Sequence, residues 1–265
     1  MKPQISVIIP TYNEAKYIQG CLESLSHQTL LPQEIIVIDD GSTDATLTII
    51  NSLKTGNWKL TILSQVHRGA GAARNLGAKH AVGDILVFLD ADMEFNPDFL
   101  NQLTAPIIAG KSKGTFSKDE FVKNWHNPWA RAWSFCLGFK DNRLIPADYP
   151  DTAPVFRAIL KSEFDRAGGF DEHRGYDDDW SLSEKLGYQA TATHATYYHY
   201  NPDSYLEIFR QARWRASRKY KLGVFGKLAF YLKTKLIVFK PPLSLAKLFF
   251  LAGTKWGLIF PRRRK

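Results

Sequence analysis

The residues best suited to chemistry are acids that close short apolar runs. Asp90-Ala91-Asp92 follows Ile85–Leu89. Two carboxylates at i and i+2 after a buried strand need a counter-charge. A hard divalent cation with oxygen ligands, Mg²⁺ or Mn²⁺, supplies it. Such a cation neutralises charge building on a departing diphosphate. Pro10-Thr11-Tyr12-Asn13-Glu14 closes the first apolar run, and Asp39-Asp40-Gly41-Ser42-Thr43-Asp44 closes the second. Ser42 and Asp44 suit helix caps or turns equally well. Arg68-Gly69-Ala70-Gly71-Ala72-Ala73-Arg74-Asn75 precedes the fourth run. Its small residues permit close backbone approach, and Arg74 could reach a phosphate or ribose. The same composition also suits a helix packed tightly on a sheet. Further on, Asp177-Asp178-Asp179 opens a helical pattern that ends at Gly187. These acids either accept a proton or cap that helix.

An alternating α/β scaffold would position these groups. Ile5–Ile9, Ile35–Asp39, Leu60–Ser64 and Ile85–Leu89 read as strands buried on both faces. Between them, Tyr17, Ile18, Cys21, Leu22 and Leu25 share one helical stripe, and Leu47, Ile50 and Leu53 another. Ser42-Thr43 is read as the N-cap of the second helix, and Asn96-Pro97 as cap and first residue of a later one. Such alternation predicts a mostly parallel sheet with right-handed crossovers, and ligands beyond the carboxyl ends of its strands. In the second half, Val155–Leu160 and Thr191–His199 read as strands, and Gly168-Gly169 as a helix stop.

Composition narrows the class. The chain has 265 residues and a net charge of +9, unevenly spread. From Glu207 to Lys265 there are sixteen Lys and Arg against one acid, a balance of +15, while the rest stands at −6. That asymmetry points the tail toward something anionic. The two cysteines, Cys21 and Cys136, make no disulfide framework, and small buried side chains are expected there. With an opening apolar run too short for a signal peptide, a reducing, cytoplasmic setting is expected. Gly69-Ala70-Gly71 is no dinucleotide fingerprint, because Pro10-Thr11-Tyr12 stands after the first strand where that signature belongs. A nicotinamide oxidoreductase is therefore disfavoured. A nucleotidyltransferase would need a Gly-rich basic loop at the same place.

Six runs in register resemble the family-2 glycosyltransferases. They are VIIPTYNE (Val7–Glu14), IDDGSTD (Ile38–Asp44), RGAGAARN (Arg68–Asn75), FLDADM (Phe88–Met93), GGFDE (Gly168–Glu172) and YDDDWSLSEKLGY (Tyr176–Tyr188). The resemblance covers residues 4–205 or so. It implies a GT-A fold, a Rossmann-like α/β domain with a mostly parallel central sheet flanked by helices. The domain would span 1–204, with a donor half to about residue 110 and an acceptor half beyond it. It implies an inverting transfer from a UDP- or GDP-sugar to an acceptor hydroxyl on a glycan or lipid-linked glycan, assisted by Mg²⁺ or Mn²⁺. Pro10, Tyr12 and Glu14 would line the nucleoside pocket, and Asp40 would contact base or ribose. Asp90 and Asp92 match the DxD-type motif, with Asp92 the more direct metal ligand. The family's Glu-Asp pair, whose Asp is the base, matches Asp178-Asp179, with Asp in place of the usual Glu. His199 matches a histidine that completes the metal site in many proteins of this fold, and His194 is its rival.

Trp125, Trp129, Trp133, Phe135 and Phe139 lie where the family's layout puts acceptor recognition. Their spacing also fits one buried helical stripe. From Tyr205 onward the pattern is helical, basic and aromatic, a tail over 205–265. Arg210-x-x-Arg213-Trp214 resembles an element of processive family members. Pro242–Pro261 is largely apolar but interrupted by Lys247 and Lys255, and Lys240, Lys247, Thr254 and Lys255 fall on one helical face, with Leu, Phe and Trp on the others. A central Lys costs a spanning helix roughly 2.5–3.5 kcal/mol. An interfacial helix on an anionic membrane is expected instead, at the inner face of the cell membrane. A tilted span with snorkelling lysines is the runner-up. Nucleic acid is not expected as a partner, since no recognition motif is present. Two rival functions remain at this level. One is hexosyl transfer to a polyisoprenyl phosphate, already an anion and in no need of a base. The other is a non-catalytic sugar-nucleotide binding protein.

Overall fold

The computed structural model describes residues 3–53, 58–174, 179–216 and 243–259. Strands β1 (Ile5–Thr11), β2 (Glu34–Asp39), β3 (Lys59–Ser64) and β4 (Ile85–Phe88) form where the sequence turns apolar and β-branched. In β1, β2 and β4 nearly every residue is buried, because helices cover both faces. Alternate residues divide between two cores. Val7, Ile9, Val37 and Val87 meet α1 (Ile18–Ser26) and α4 (Phe99–Ile108) through Cys21, Leu25, Phe99 and Leu103. Ile8, Ile36, Ile38 and Phe88 meet α3 (Ala70–His80), α6 (Lys161–Ala167) and α7 (Trp180–Leu186) through Ala73, Phe164 and Leu182. Close approach of α3 depends on Gly77, where a Cβ would come within 2.6 Å of Ile8 and Ile38.

The remaining strands are β5 (Met93–Phe95), β6 (Gly114–Ser117), β7 (Glu120–Val122), β8 (Thr152–Ala153), β9 (Ala158–Leu160), β10 (Ala190–Thr193) and β11 (Tyr197–His199). Eight strands form one sheet in the order β3-β2-β1-β4-β9-β6-β10-β8, and β5-β11-β7 form a second. β1 runs parallel to β2 and β4, β2 to β3, and β6 to β10, while β9 and β8 are antiparallel to their neighbours. This is the expected α/β architecture. After β3 the chain returns to lay β4 on the other side of β1. That reversal opens a crevice at the carboxyl ends of β1 and β4, where open α/β sheets bind ligands.

Several local expectations shift. The second helix, α2 (Thr46–Ser52), is not capped by Ser42 or Thr43. Asp44 takes the Thr46 N–H at 3.0 Å instead. Helix α4 starts at Phe99 rather than at Pro97, and the Asn96 carbonyl accepts the Phe99 N–H. Of Val155–Leu160 only Ala158–Leu160 is strand, and Thr191–His199 divides into β10 and β11. The helix stop holds: Gly168, at φ +68°, closes α6 in the left-handed conformation.

The chain divides into two compact units. One comprises Met1–Glu120, Ile145–His173 and Asp178–Tyr198; the other comprises Phe121–Leu144, Arg174–Asp177 and His199–Lys265. The first holds the eight-stranded sheet. In the second, α5 (Pro128–Leu137), α8 (Tyr205–Ala216) and α9 (Leu243–Ile259) surround a core of Ala132, Trp133, Ile208, Ala212 and Ala246. Asn127 caps α5 by accepting the N–H groups of Trp129 and Ala130, with Pro128 at the first helical position. The aromatic stripe is therefore mainly structural. Trp133 is buried against Phe250, Trp129 meets Tyr205, and Trp125 packs edge-on against Phe135.

Helices α8 and α9 touch backbone to backbone. A Cβ on Gly253 would overlap the carbonyl of Phe209, and one on Gly257 the carbonyl of Arg213. Neither obstacle is a side chain that can rotate away. Gly257→Val is therefore expected to force the helices apart and cost about 1–3 kcal/mol. Urea unfolding followed by tryptophan fluorescence checks this; an unchanged midpoint would show that the crossing tolerates a side chain.

Candidate active site

The crevice is walled by two loops that hold each other. Asn13, at φ +59°, accepts the Thr43 N–H on its side-chain oxygen and gives its own N–H to the Ser42 hydroxyl. The Glu14 N–H goes to Thr46 Oγ1 and the Ala15 N–H to Asp44. Ser42 and Asp44 thus tie the loop after β1 to the loop after β2. Asp44 is held below the usual carboxylate range: slight burial opposes the charge, and hydrogen bonds from Thr46 and Ala15 outweigh it.

Asp40 organises a third loop. Its carboxylate is buried and accepts the backbone N–H groups of Arg68 and Gly69, each at 2.8 Å, and the Gln65 amide at 2.7 Å. His67 Nδ1 lies 2.8 Å from Asp40 Oδ2. These contacts fix the entry to α3 at Gly69, whose φ of +95° a side chain would resist. They also set the His67 ring against Tyr12, stacked at 4.1 Å between centroids. Asp40, expected to touch base or ribose, here shapes that wall through the 65–69 loop. His67 went unnoticed in the sequence, where one histidine beside an Arg-Gly pair carries no signal.

At the centre is Arg74, buried on the sheet-facing side of α3. One end of its guanidinium donates to Asp179 Oδ1 at 2.6 Å, and the other to Asp90 Oδ1 at 2.7 Å. Asp90 and Asp179 are thereby joined across one planar cation. Asp90 Oδ2 meets Arg157 Nη1 at 3.1 Å. Burial opposes the charge on Arg157. Tyr197, Asp90, Glu120 and Asp179 outweigh that penalty, so it titrates well above the usual arginine value. Arg157 was also unnoticed, because only the β4–β9 pairing brings it beside Asp90. Asp179 stands at the N-terminus of α7 without capping it, and its side chain keeps 29% exposure. The loop before it is pinned to α3, with Asn75 bonded to Phe170 and Glu172, and Arg68 to Glu172.

The acidic pair sits over Cys21. Burial drives that thiol well above its ordinary value, and Asp92, Asp90, Glu14 and Glu94 push it further, in that order. Asp92, Asp90, Glu14 and Glu94 thus all act on the same thiol. Their oxygen donors suit a hard cation. Among the described residues, however, no three His, Cys, Asp or Glu side chains converge as a ready-made metal cage. Asp90 is committed to two arginines. Asp92 is half-buried in the turn before β5.

The other candidates are dispersed. Pro10 lies near the end of β1 and Tyr12 just beyond it, with Thr11 between them, and both are half-buried. Asp177 and Asp178 lie outside the described residues. His194 pairs with Asp119 at 3.0 Å in the first unit. His199 ends β11 and belongs to the second unit, where its carbonyl accepts the Lys123 N–H.

A family model described as glycosyl transferase family 2 matches residues 6–168. The chondroitin synthase of Pasteurella multocida (strain Pm70) is 40% identical over 133 residues, 47% of this chain and 14% of that protein. The glycosyltransferase AglE of Haloferax volcanii is 41% identical over 103 residues, 38% of this chain and 34% of that one. The chain thus matches about a third or less of either relative's length. Among solved structures, S. aureus TarS 1-349 in complex with UDP-GlcNAc is similar at a TM-score of 0.62 and 18% identity, covering 97% of this chain and 90% of that one. The mannosyltransferase PcManGT of Pyrobaculum calidifontis, in complex with GDP-Man and Mn²⁺, is similar at 0.59 and 23%, covering 98% and 73%. At these identities the structures establish a shared GT-A fold.

Proposed function

The chain belongs to glycosyl transferase family 2, and from that premise we propose that it moves a sugar from a UDP- or GDP-linked donor to an acceptor hydroxyl on a glycan or lipid-linked glycan, with inversion. The observation that carries this reading is the Arg74 bridge. It ties the candidate base, Asp179, to the acidic pair at the donor crevice. The complexes of TarS with UDP-GlcNAc and of PcManGT with GDP-Man support the donor class.

Pro10, Tyr12 and Glu14 line the nucleoside end, where the Tyr12–His67 stack offers an aromatic edge to a base. Asp92, with Asp90 beside it, would hold Mg²⁺ or Mn²⁺, which when bound supplies counter-charge for the departing diphosphate. Asp179 accepts the proton of the acceptor hydroxyl. The oxygen then forms a bond to the anomeric carbon as the bond to the diphosphate breaks, and the electron pair leaves on the nucleoside diphosphate. Arg74 fixes the Asp179 carboxylate by one oxygen, and that carboxylate remains exposed enough to meet an acceptor.

The test is a screen of nucleotide sugars with Mn²⁺ and with Mg²⁺, reading nucleoside diphosphate release. Release from one UDP- or GDP-sugar, lost on chelation, is the expected result. Tight nucleotide binding without release from any donor, across a panel of glycan and lipid-linked acceptors, would reassign the chain to sugar-nucleotide binding.

A further inference from the structure

Helix α9 is apolar on its buried side, with Ala246, Leu251 and Leu258, and again on its exposed side. Gly253, Thr254 and Gly257 are buried, with the two glycines against α8. Lys247 and Lys255 are half-buried, and the Lys247 ammonium lies 5.1 Å from the centre of the Phe250 ring. The exposed positions are Leu245, Leu248, Ala252, Trp256 and Ile259. At 3.6 residues per turn these fall within roughly 80° of arc, so they form one continuous stripe. Their exposure is high for such side chains, from 44% at Leu245 to 57% at Ile259. The face that the sequence groups around Lys247, Thr254 and Lys255 is half-buried or buried. Thr254 faces inward and the outward stripe is apolar throughout.

An exposed apolar stripe asks for a partner. Charge selects it. Sixteen bases against one acid lie between Glu207 and Lys265, and Arg262-Arg263-Arg264-Lys265 follows α9 almost directly. No described helix is long and apolar enough to cross a membrane. We propose that the Leu245–Ile259 stripe of α9 seats on an anionic bilayer surface, lying in the headgroup plane with its apolar side chains among the upper acyl chains. The Lys and Arg of the tail meet lipid phosphates while the stripe supplies an attraction that salt does not screen. A cytoplasmic leaflet, where anionic lipids gather, fits this chemistry. The inference is independent of glycosyl transfer.

The experiment uses the full chain and co-sedimentation with vesicles of phosphatidylcholine, alone or mixed with phosphatidylglycerol, at low and high salt. The parent is expected to prefer the anionic vesicles and to stay partly bound at high salt. Leu248→Glu with Ile259→Glu should weaken binding about tenfold or more, the effect of losing even one inserted aliphatic side chain. The pair Leu245→Ser and Trp256→Ser should do the same without adding negative charge. Val82→Glu, at an exposed apolar site between α3 and β4, should bind as the parent does. Equal binding by parent and both stripe variants at an unchanged melting temperature overturns the proposal, and so does negligible binding of the parent to both vesicle types. A concentration-dependent dimer of the parent that both stripe variants disperse would assign the face to a second copy and also overturn it. Nucleoside diphosphate release from a soluble donor reads the transferase separately, so failure of one claim leaves the other intact.

Discussion

Asp179→Asn is expected to lower turnover by about 10²–10⁴ while leaving donor affinity nearly unchanged. The amide matches the carboxylate in size and keeps an oxygen for the Arg74 N–H now at 2.6 Å. Arg74 stays anchored by Asp90 at 2.7 Å, so the donor side of the crevice keeps its shape. What the variant lacks is a group that can take the acceptor's proton. Steady-state nucleoside diphosphate release, with donor affinity measured apart by calorimetry, separates the two effects. A large loss of affinity at unchanged turnover would move Asp179 from catalysis to binding. Undiminished activity with a phosphate acceptor would favour the polyisoprenyl-phosphate reading, since that nucleophile is already ionised. If Asp178→Asn proved the more damaging change, the base would be Asp178.

Local pattern carried much of this architecture. The four leading strands were legible because β-branched runs buried on both faces have few other uses. The acids after them were legible because strand ends in such a sheet face the ligand crevice. Partners fixed by tertiary pairing were not legible. Arg157 reaches Asp90 only through the antiparallel insertion of β9 beside β4. Nor could periodicity show which side of Arg74 would face inward, or that one guanidinium would span two motifs. Nor could the sequence show that the 65–69 loop would fold around Asp40. The tail misled in an instructive way. Helical spacing grouped Lys247, Thr254 and Lys255 on one face, but it could not show that Gly253 and Gly257 would lie against α8 and bury Thr254 with them, and Lys240 lies outside the described residues.

Asp92→Ala is expected to abolish metal-dependent donor turnover, a loss of about 10³-fold or more if the cation contributes several kcal/mol to the leaving diphosphate. The fold should survive. Asp92 occupies a turn between β4 and β5, and the packing there comes from its neighbours, Ala91 and Met93, both buried. Asp90 is a poorer choice of variant, since its removal takes a carboxylate from the buried Arg74 and the half-buried Arg157, and breaking such pairs is itself destabilising. A loss at Asp90 would therefore confound stability with chemistry. At Asp92 the two separate: thermal unfolding should be near that of the parent, and Mn²⁺ affinity measured in the presence of nucleoside diphosphate should fall. Wild-type turnover in the variant, or undiminished turnover of the parent in chelator, would remove the metal from the mechanism. Charge neutralisation at the diphosphate would then rest on cationic side chains, with Arg74 first among them because its guanidinium already sits against Asp90 at the donor edge of the sheet.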